Sequence, residues 1–449
     1  MKRRDFLTKS AAATFGFQVV PSHVVSAASG KPSPNSKVRL AFVGVGGRGA
    51  ANLGGMADEE VVALCDVHER NAAGSFKKFP DAKRFTDYRE MLDKVGDSVD
   101  GVVVSTPDHT HAVIVMEALK RDKHVYCEKP LAHKVGEVRT MRKEALKRGL
   151  VTQVGNQGHS SDAIRLFCEM VWDGKIGEVS EVHCGCDAFK DVYCQIRKLE
   201  EFKQKHKVPE DLDWDLWLGP LPKMDYHPNY LPFQWRGYST FGSGCIGDWI
   251  CHVLDPSYWA LDLGMPTAVT AETKGFDPKK HAAFYPAGVR LTYEFPAKAG
   301  RGPVKVVWHD GDFRIPQPEE LTKENRKVVG TGAVVIGSEG KIMHGSHGAG
   351  GCRLIPETAM KGFKRPEQRL ARVPGGHHQK NWLDAIRLGK AAGSNFEYGG
   401  ALSEIGLLGM VAIARTGKRL EWDDANMKFT NDDAANALLM PRYRRGWRI

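Results

Sequence analysis

What this chain has little of narrows it first. Its nine cysteines are an odd number in 449 residues and show none of the paired spacing of a zinc site. Cys184 and Cys186 stand one residue apart in a strand-like run, too close for a Cys-x-x-Cys pair, while Cys65, Cys127 and Cys251 sit in apolar runs and read as buried thiols. No metal centre is expected. No nucleic-acid-binding motif is present, and the excess of 64 Lys and Arg over 54 Asp and Glu is spread along the chain, with one cluster in the closing PRYRRGWRI. A scattered balance of this kind does not point to nucleic acid as a partner. Outside the termini, no segment has the composition of a disordered region. With 42% hydrophobic and 26% charged residues the composition is that of an ordinary globular protein, and the length exceeds what one core usually supports. Two domains are expected.

The first 27 residues stand apart. MKRRDFLTKSAAATFGFQVVPSHVVSA has a charged head, a short apolar middle and a small-residue pattern at Val25-Ser26-Ala27. Arg3-Arg4, followed by Asp5, Phe6, Leu7 and Lys9, resembles a twin-arginine export signal. The apolar run is too short and too mild for a membrane span, and no cysteine follows the cleavage pattern to carry a lipid, so no membrane anchor is expected. These features imply a soluble periplasmic protein, exported after folding and therefore able to carry a cofactor out with it. The segment holds four bases and one acid, so its removal brings the net charge from +10 to about +7.

After a linker at residues 30–37, KVRLAFVGVGGRGAANLGGM reads as strand, glycine turn and helix. Gly44, Gly46 and Gly49 fit G-x-G-x-x-G, with Gly47 and Arg48 in the intervening positions: the first glycine for the tight turn, the second for approach of a pyrophosphate, the third for helix–strand packing. Asp66 ends the next apolar strand, VVALCD, roughly 20 residues on, where an acid binds ribose hydroxyls. An acid there favours NAD over NADP, although His68 and Arg70 nearby pull the other way. Strands and helices then alternate through VDGVVVSTP, HTHAVIVMEALKRD, KHVYCEKP and VGEVRTMRKEALKRG to LVTQVGN, which predicts a doubly wound parallel sheet, a Rossmann domain over residues 37–155. Ligands of such sheets sit at the carboxyl ends of the strands. That nominates Thr106, Pro107, His109 and His111 of STPDHTHA, Glu128, Lys129 and Pro130 of CEKPLAH, and Gln157 as cofactor-binding residues.

Further on, SGCIGDWICHVLDPSYW puts Asp248, His252 and Asp255 at i, i+4 and i+7, one face of a helix in an otherwise apolar run. Buried without partners they would be costly, so they satisfy one another or do chemistry.

Taken together, GVGGRG, Asp66, STPDHTHA, CEKPLAH and GDWICHVLD resemble the Gfo/Idh/MocA oxidoreductase family, and the likeness runs on through NWLDAIRLGK to ANALLMPRYRRGWRI. The resemblance implies an α/β protein in which the Rossmann domain is followed by an α+β domain with a large, open, mostly antiparallel sheet, here residues 156–430, and a tail, residues 431–449. It implies NAD-dependent redox chemistry on sugars, cyclitols or glycosides. The family's catalytic lysine falls on Lys129 and its D-x-x-x-H signature on Asp248 and His252. Trp249 and Ile250 depart from the small residues usual after that aspartate, which implies a reshaped pocket. In this scheme His252 is the base, Lys129 donates to the reacting oxygen, Asp248 orients the histidine or binds a substrate hydroxyl, and Asp255 is structural.

Period-two runs such as EVSEVHCGCDA, AGVRLTYEF and VKVVWHDG are expected to form the second sheet, with one face left for a homo-oligomer, a dimer or tetramer whose interface the tail lies near. The aromatic stretch DLDWDLWLGPLPKMDYHPNYLPFQWRGYSTFG reads as a loop walling the substrate pocket, with Trp235 and Arg236 as contacts, and His159 and His378 as further candidates. Free NAD is scarce outside the cytoplasm, so an exported enzyme of this type needs a tightly held cofactor recycled in each cycle. Either one substrate is oxidised and another reduced, or a glycoside is oxidised, eliminated and reduced again. A sugar-binding sensor without turnover is the alternative from another class.

Overall fold

The computed structural model describes residues 37–449, so the export-signal reading lies outside the described residues. Six short strands form the first sheet: β1 Arg39–Val43, β2 Glu60–Cys65, β3 Lys83–Phe85, β4 Gly101–Val104, β5 His124–Cys127 and β6 Thr152–Val154. Their order is β3-β2-β1-β4-β5-β6 and every pairing is parallel. The central strands are apolar runs rather than alternating ones, GVVV in β4 being buried throughout, because helices cover both faces. The order reverses between β1 and β4, which opens a crevice at their carboxyl ends.

One of the covering helices comes from far along the chain. Trp382, Leu383 and Ile386 of helix His378–Leu388 are buried against Leu40, Phe42, Leu64, Val103 and Tyr126 of the first sheet. A division of the chain at residue 155 therefore leaves out a piece of the first layer: a face of the sheet is capped by an amphipathic helix that follows the second sheet's central strands.

The second sheet has nine strands: β7 Val179–Cys186, β8 Ala268–Lys274, β9 Gly288–Phe295, β10 Val304–Gly311, β11 Gly332–Gly337, β12 Lys341–Gly345, β13 Arg353–Ile355, β14 Arg419–Asp423 and β15 Lys428–Phe429. They run in the order β13-β12-β11-β7-β10-β9-β8-β14-β15. Only β7 and β10 pair in parallel; the other neighbours are antiparallel. Helices Gly244–Val253 and Phe396–Ala414 cover the inner face. The latter is long and apolar enough to cross a membrane, with a mean hydropathy of 1.2, but 83% of it is buried inside the molecule, as befits a core helix. The outer face carries polar and charged side chains: Glu181 and His183 of β7, Arg290 and Glu294 of β9, Lys305 and His309 of β10.

The tail folds back onto its own chain, against the first domain and the second domain's aromatic insertion. Tyr443 hydrogen-bonds Glu137, the Trp447 ring lies 4.6 Å from the Arg89 guanidinium, and Arg444 pairs with Asp215 at 2.6 Å. All nine cysteines are free, and Cys65, Cys127 and Cys251 are buried as their apolar surroundings implied.

Candidate active site

The glycine turn supplies the first wall. Gly44 sits at φ +77°, and a Cβ on Gly49 would lie 1.9 Å from the Gly44 carbonyl oxygen, so both positions require glycine. The open position is Gly47 rather than Gly46: a side chain at 46 would run into the Asn71 amide, whereas nothing lies within 4 Å of the Cβ direction at 47. Helix Gly47–Gly55 starts there with no side-chain cap and no acid in its first turn. Its free N–H groups and dipole suit a pyrophosphate.

Asp66 stands beside this turn, its carboxylate accepting from Val45 N at 2.8 Å and His68 N at 2.9 Å. Burial raises its pKa against the effect of these bonds. His68 and Arg70 are turned away to Asp211, at 3.4 and 3.2 Å. Asp66, placed at the turn, supplies an acceptor for ribose hydroxyls, and the residues present fit NAD.

The loops after β4, β5 and β6 converge on the crevice. Glu128 accepts from Asn52 at 2.9 Å and from Gln157 at 2.8 Å, and Gln157 also donates to Tyr126 at 3.0 Å, so these side chains lock the strand ends to the glycine-turn helix. Thr106 accepts from the Thr110 hydroxyl at 2.8 Å, and Pro107 precedes the helix Asp108–Lys120. Two expected cofactor contacts are corrected. His109 has one ring nitrogen on the Phe241 carbonyl and the other on that of Trp217; His111 has one on Pro130 and the other on Thr106. Buried and neutral, each ring donates to one of its two carbonyls and ties the loops together away from solvent. Burial holds His109 down to about 4 and His111 below the usual histidine value.

Lys129 reaches across to the second domain. Its Nζ donates to the Asp248 carbonyl at 2.9 Å and to the Asp248 carboxylate. An ammonium has three donors, so one remains for a ligand. Asp248 also accepts from the Tyr193 hydroxyl and lies 3.3 Å from Arg236 Nε. Burial opposes its ionisation, but Lys129, Arg236 and these hydrogen bonds outweigh it and hold the carboxyl well below the usual range. The expectation that Asp248 orients His252 is thereby corrected: the two share a helix face, but the short carboxylate turns to the cations opposite it.

His252 is buried, its Nδ1 without a hydrogen-bond partner among the described residues. Burial, then the charges of Lys129 and His347, push its pKa well below the ordinary value, against Asp248. Its ring stacks on that of His347, centroids 4.1 Å apart and planes 21° apart. Trp249 sets its edge against both rings and donates to Tyr193 at 2.8 Å, whereas Ile250 is in the core. The departure from small residues after Asp248 thus reshapes the site at one position only.

Asp255 starts a separate helix, Asp255–Ala260, and accepts from Asn156, His159 and Tyr398, which satisfies it as a structural carboxylate. His159 gives its Nδ1 to Asp255 and stacks on Trp259, and His378 bridges Ser160 and the Val154 carbonyl. These two expected substrate contacts are corrected as buried tethers. Trp235 is corrected likewise. With Trp214, Trp217, Tyr230, Tyr238 and Phe241 it forms a buried aromatic cluster, because so many large rings in one insertion make a core of their own. Arg236 does face the site, its guanidinium 4.2 Å above the rings of both Trp235 and Phe233. At the lip, Phe189 and Phe233 are 53% and 38% exposed and 5.7 Å apart.

Tyr193 and His347 were not found from the sequence. Nothing in DVYC marks the tyrosine. His347 had one signal, a histidine enclosed by glycines after a strand in HGSHGAGG. Its φ of 55° is left-handed, a conformation costing a non-glycine residue about 1–2 kcal/mol. The loop is pinned where it is: a Cβ on Gly158 would meet the His347 backbone at 2.1 Å, and Ser161 donates to the Gly348 carbonyl at 3.0 Å.

Residues 38–156 match an oxidoreductase family with an NAD-binding Rossmann fold, and residues 184–297 match the same family's C-terminal alpha/beta domain. A levoglucosan dehydrogenase of Pseudarthrobacter phenanthrenivorans is 25% identical over 218 residues, 48% of this chain and 46% of the relative. Inositol 2-dehydrogenase 1 of Saccharopolyspora erythraea is 31% identical over 153 residues, 33% of this chain and 45% of the relative. The matched stretch thus spans just under half the length of these curated relatives. Among solved structures, an oxidoreductase domain protein from Kribbella flavida superposes with a TM-score of 0.57 at 20% identity, covering 87% of this chain and 100% of that one. An inositol dehydrogenase homolog from Azotobacter vinelandii, complexed with NADH and myo-inositol, gives 0.57 at 17% identity, covering 87% and 99%. These two likenesses establish a shared fold.

Proposed function

Because the chain belongs to the Gfo/Idh/MocA oxidoreductase family, we propose that it transforms a CH–OH group of a sugar, cyclitol or glycoside with NAD, using Lys129 and His252 on the reacting oxygen and its proton. The observation that carries this reading is the meeting of Lys129, from the end of β5, with Asp248 beside His252, whose Nδ1 has no partner among the described residues. NAD, when bound, supplies the acceptor for the hydrogen that leaves the carbinol carbon. The third N–H of Lys129 stabilises charge developing on the oxygen, and Asp248 keeps the ammonium aimed. His252, neutral in its buried setting, takes the hydroxyl proton. The names of the curated relatives, levoglucosan and inositol dehydrogenases, support a polyhydroxylated substrate.

The protein is read as periplasmic, with the nucleotide loaded before export and recycled in each cycle; the twin-arginine-like start of the sequence supports this. Protein purified without added nucleotide is then expected to release NAD(H) when denatured and chromatographed. Clean protein that also fails to bind added NAD would overturn the reading. Asp66→Ala is expected to weaken NAD relative to NADP.

One observation favours the second scheme, oxidation followed by elimination. A ring carbonyl acidifies the neighbouring C–H, and His347 stacked on His252 offers a second imidazole to take that proton as the leaving group departs. Release of nitrophenol from nitrophenyl glycosides, dependent on His347, distinguishes it from net redox.

We also infer a homo-oligomer joined through the polar outer face of the second sheet, where Glu181, His183 and His309 form one bonded group. Light scattering at micromolar concentration is expected to give a dimer or tetramer; a monomer would overturn this.

A further inference from the structure

The chain between β7 and the helix Gly244–Val253 does more than pack its own aromatic rings. Residues 208–214 leave the second domain and pair with the strand exit after β2, beside the acid at the nucleotide site. Glu69 N donates to the Asp211 carbonyl at 2.9 Å, and Asp213 N donates to the Val67 carbonyl at 2.9 Å. His68 and Leu212 stand directly opposite as an antiparallel pair. The Asp211 side chain adds two contacts to the joint, His68 Nε2 at 3.4 Å and the Arg70 guanidinium at 3.2 Å.

Between this strap and the ends of β2 and β3 lies a cavity of about 810 Å³. Asp66 forms one wall and Glu210, Asp211, Leu212, Asp213 and Trp214 another, with Phe76 and Phe85 also lining it. Six carboxylates face it (Asp66, Glu69, Glu90, Glu210, Asp211 and Asp213) against two cations, Arg84 and Lys94. The excess negative charge disfavours any phosphate there. An uncharged group with hydroxyl and amino donors and a flat apolar face suits it: the adenosine of NAD, without a 2′-phosphate. Asp211 Oδ2 is shielded from solvent, with His68 Nε2 3.4 Å away across the joint.

We propose that residues 210–214 complete the adenosine half of the nucleotide site and act as a clasp, so that nucleotide leaves only when this segment parts from residues 67–69. The inference rests on the NAD reading above and deepens it: the second domain's insertion, and not the Rossmann domain alone, retains the nucleotide. It gives a physical basis for a cofactor that stays bound through many cycles. Retention comes from a short two-stranded joint closed by Asp211, and parting that joint requires breaking both backbone hydrogen bonds together.

The test locks and loosens the joint. Opposed residues in a pair that exchanges no hydrogen bonds of its own have Cα atoms about 4.5 Å apart, within disulfide reach. A His68→Cys/Leu212→Cys protein can therefore be closed by mild oxidation and opened by reductant. Release of NAD after loading and dilution is followed by filtration. The oxidised form is expected to release nucleotide at least about 10-fold more slowly than the same protein reduced. Asp211→Ala, which keeps the backbone pairing but removes its ionic closure, is expected to release it several-fold faster than wild type. Equal rates in the oxidised and reduced forms, or a wild-type rate in Asp211→Ala, would overturn the clasp. Should the double variant fail to fold, Asp211→Ala decides alone. Wild-type protein that takes up no NAD would overturn the functional reading itself, and the clasp with it; nucleotide bound but released independently of the joint overturns the clasp only.

Discussion

Lys129→Ala is expected to lower turnover by on the order of 10²-fold or more while NAD stays bound, the scale on which preorganised donors contribute to a charge-developing step. Lys129 touches neither the glycine turn nor Asp66, so nucleotide content should match wild type. The fold should weaken without collapsing. Removing one member of a buried ion pair costs about 3–5 kcal/mol when the other is left alone, but Asp248 would keep Arg236 at 3.3 Å and the Tyr193 hydroxyl. Nucleotide content on denaturation, thermal unfolding and turnover, measured on one preparation, separate the roles. Full turnover in the variant would remove Lys129 from the chemistry. Loss of nucleotide together with turnover would make it a cofactor ligand instead.

The second large effect concerns His252. A general base works in its neutral form, and burial beside Lys129 and His347 keeps this imidazole neutral well below the ordinary histidine value of about 6.5. The wild-type rate is therefore expected to hold level from neutrality down past pH 6.5, and to fall only in more acidic solution as His252 takes up a proton. His252→Asn should cost about 10²-fold or more and abolish that acid limb. A wild-type limb centred at or above 6.5 would mean that another group gates the reaction. An unfolded His252→Asn protein whose surviving fraction keeps full specific activity would make the residue a structural histidine.

The cofactor half of the site was legible because its chemistry is backbone chemistry. Gly44 and Gly49 are forced by a turn and by an approach too close for any side chain, and such constraints leave a fixed spacing in the sequence. Lys129 and Asp248 were each legible from motifs, but their pairing spans 119 residues and no local pattern records it. The histidines were the weakest ground. His109, His111, His159 and His378 stand in segments that converge on the crevice, yet a sequence does not say which partner takes each ring nitrogen. In the fold the rings lie buried against carbonyls, a serine and Asp255. The aromatic insertion misled for a related reason: Trp235 has the composition of a sugar-binding wall, and only burial distinguishes that from a core. Its backbone pairing with residues 67–69 had no trace at all, since the two segments belong to different domains. His347 depends on a left-handed loop and on contact with Gly158, neither of which its neighbours spell out beyond a run of glycines.

The central claim is that bound NAD and the Lys129–His252 pair act together on a hydroxyl-bearing carbon. Mixing the nucleotide-loaded protein with a panel of sugars, cyclitols and glycosides, and following the absorbance of reduced nicotinamide in a single turnover, tests it most directly. The expected result is reduction of the bound nucleotide by at least one compound in wild type and its loss in Lys129→Ala. Compounds that bind, by calorimetry, yet never reduce the nucleotide and never yield product in multiple turnover would contradict it, and would leave a sugar-binding protein without chemistry.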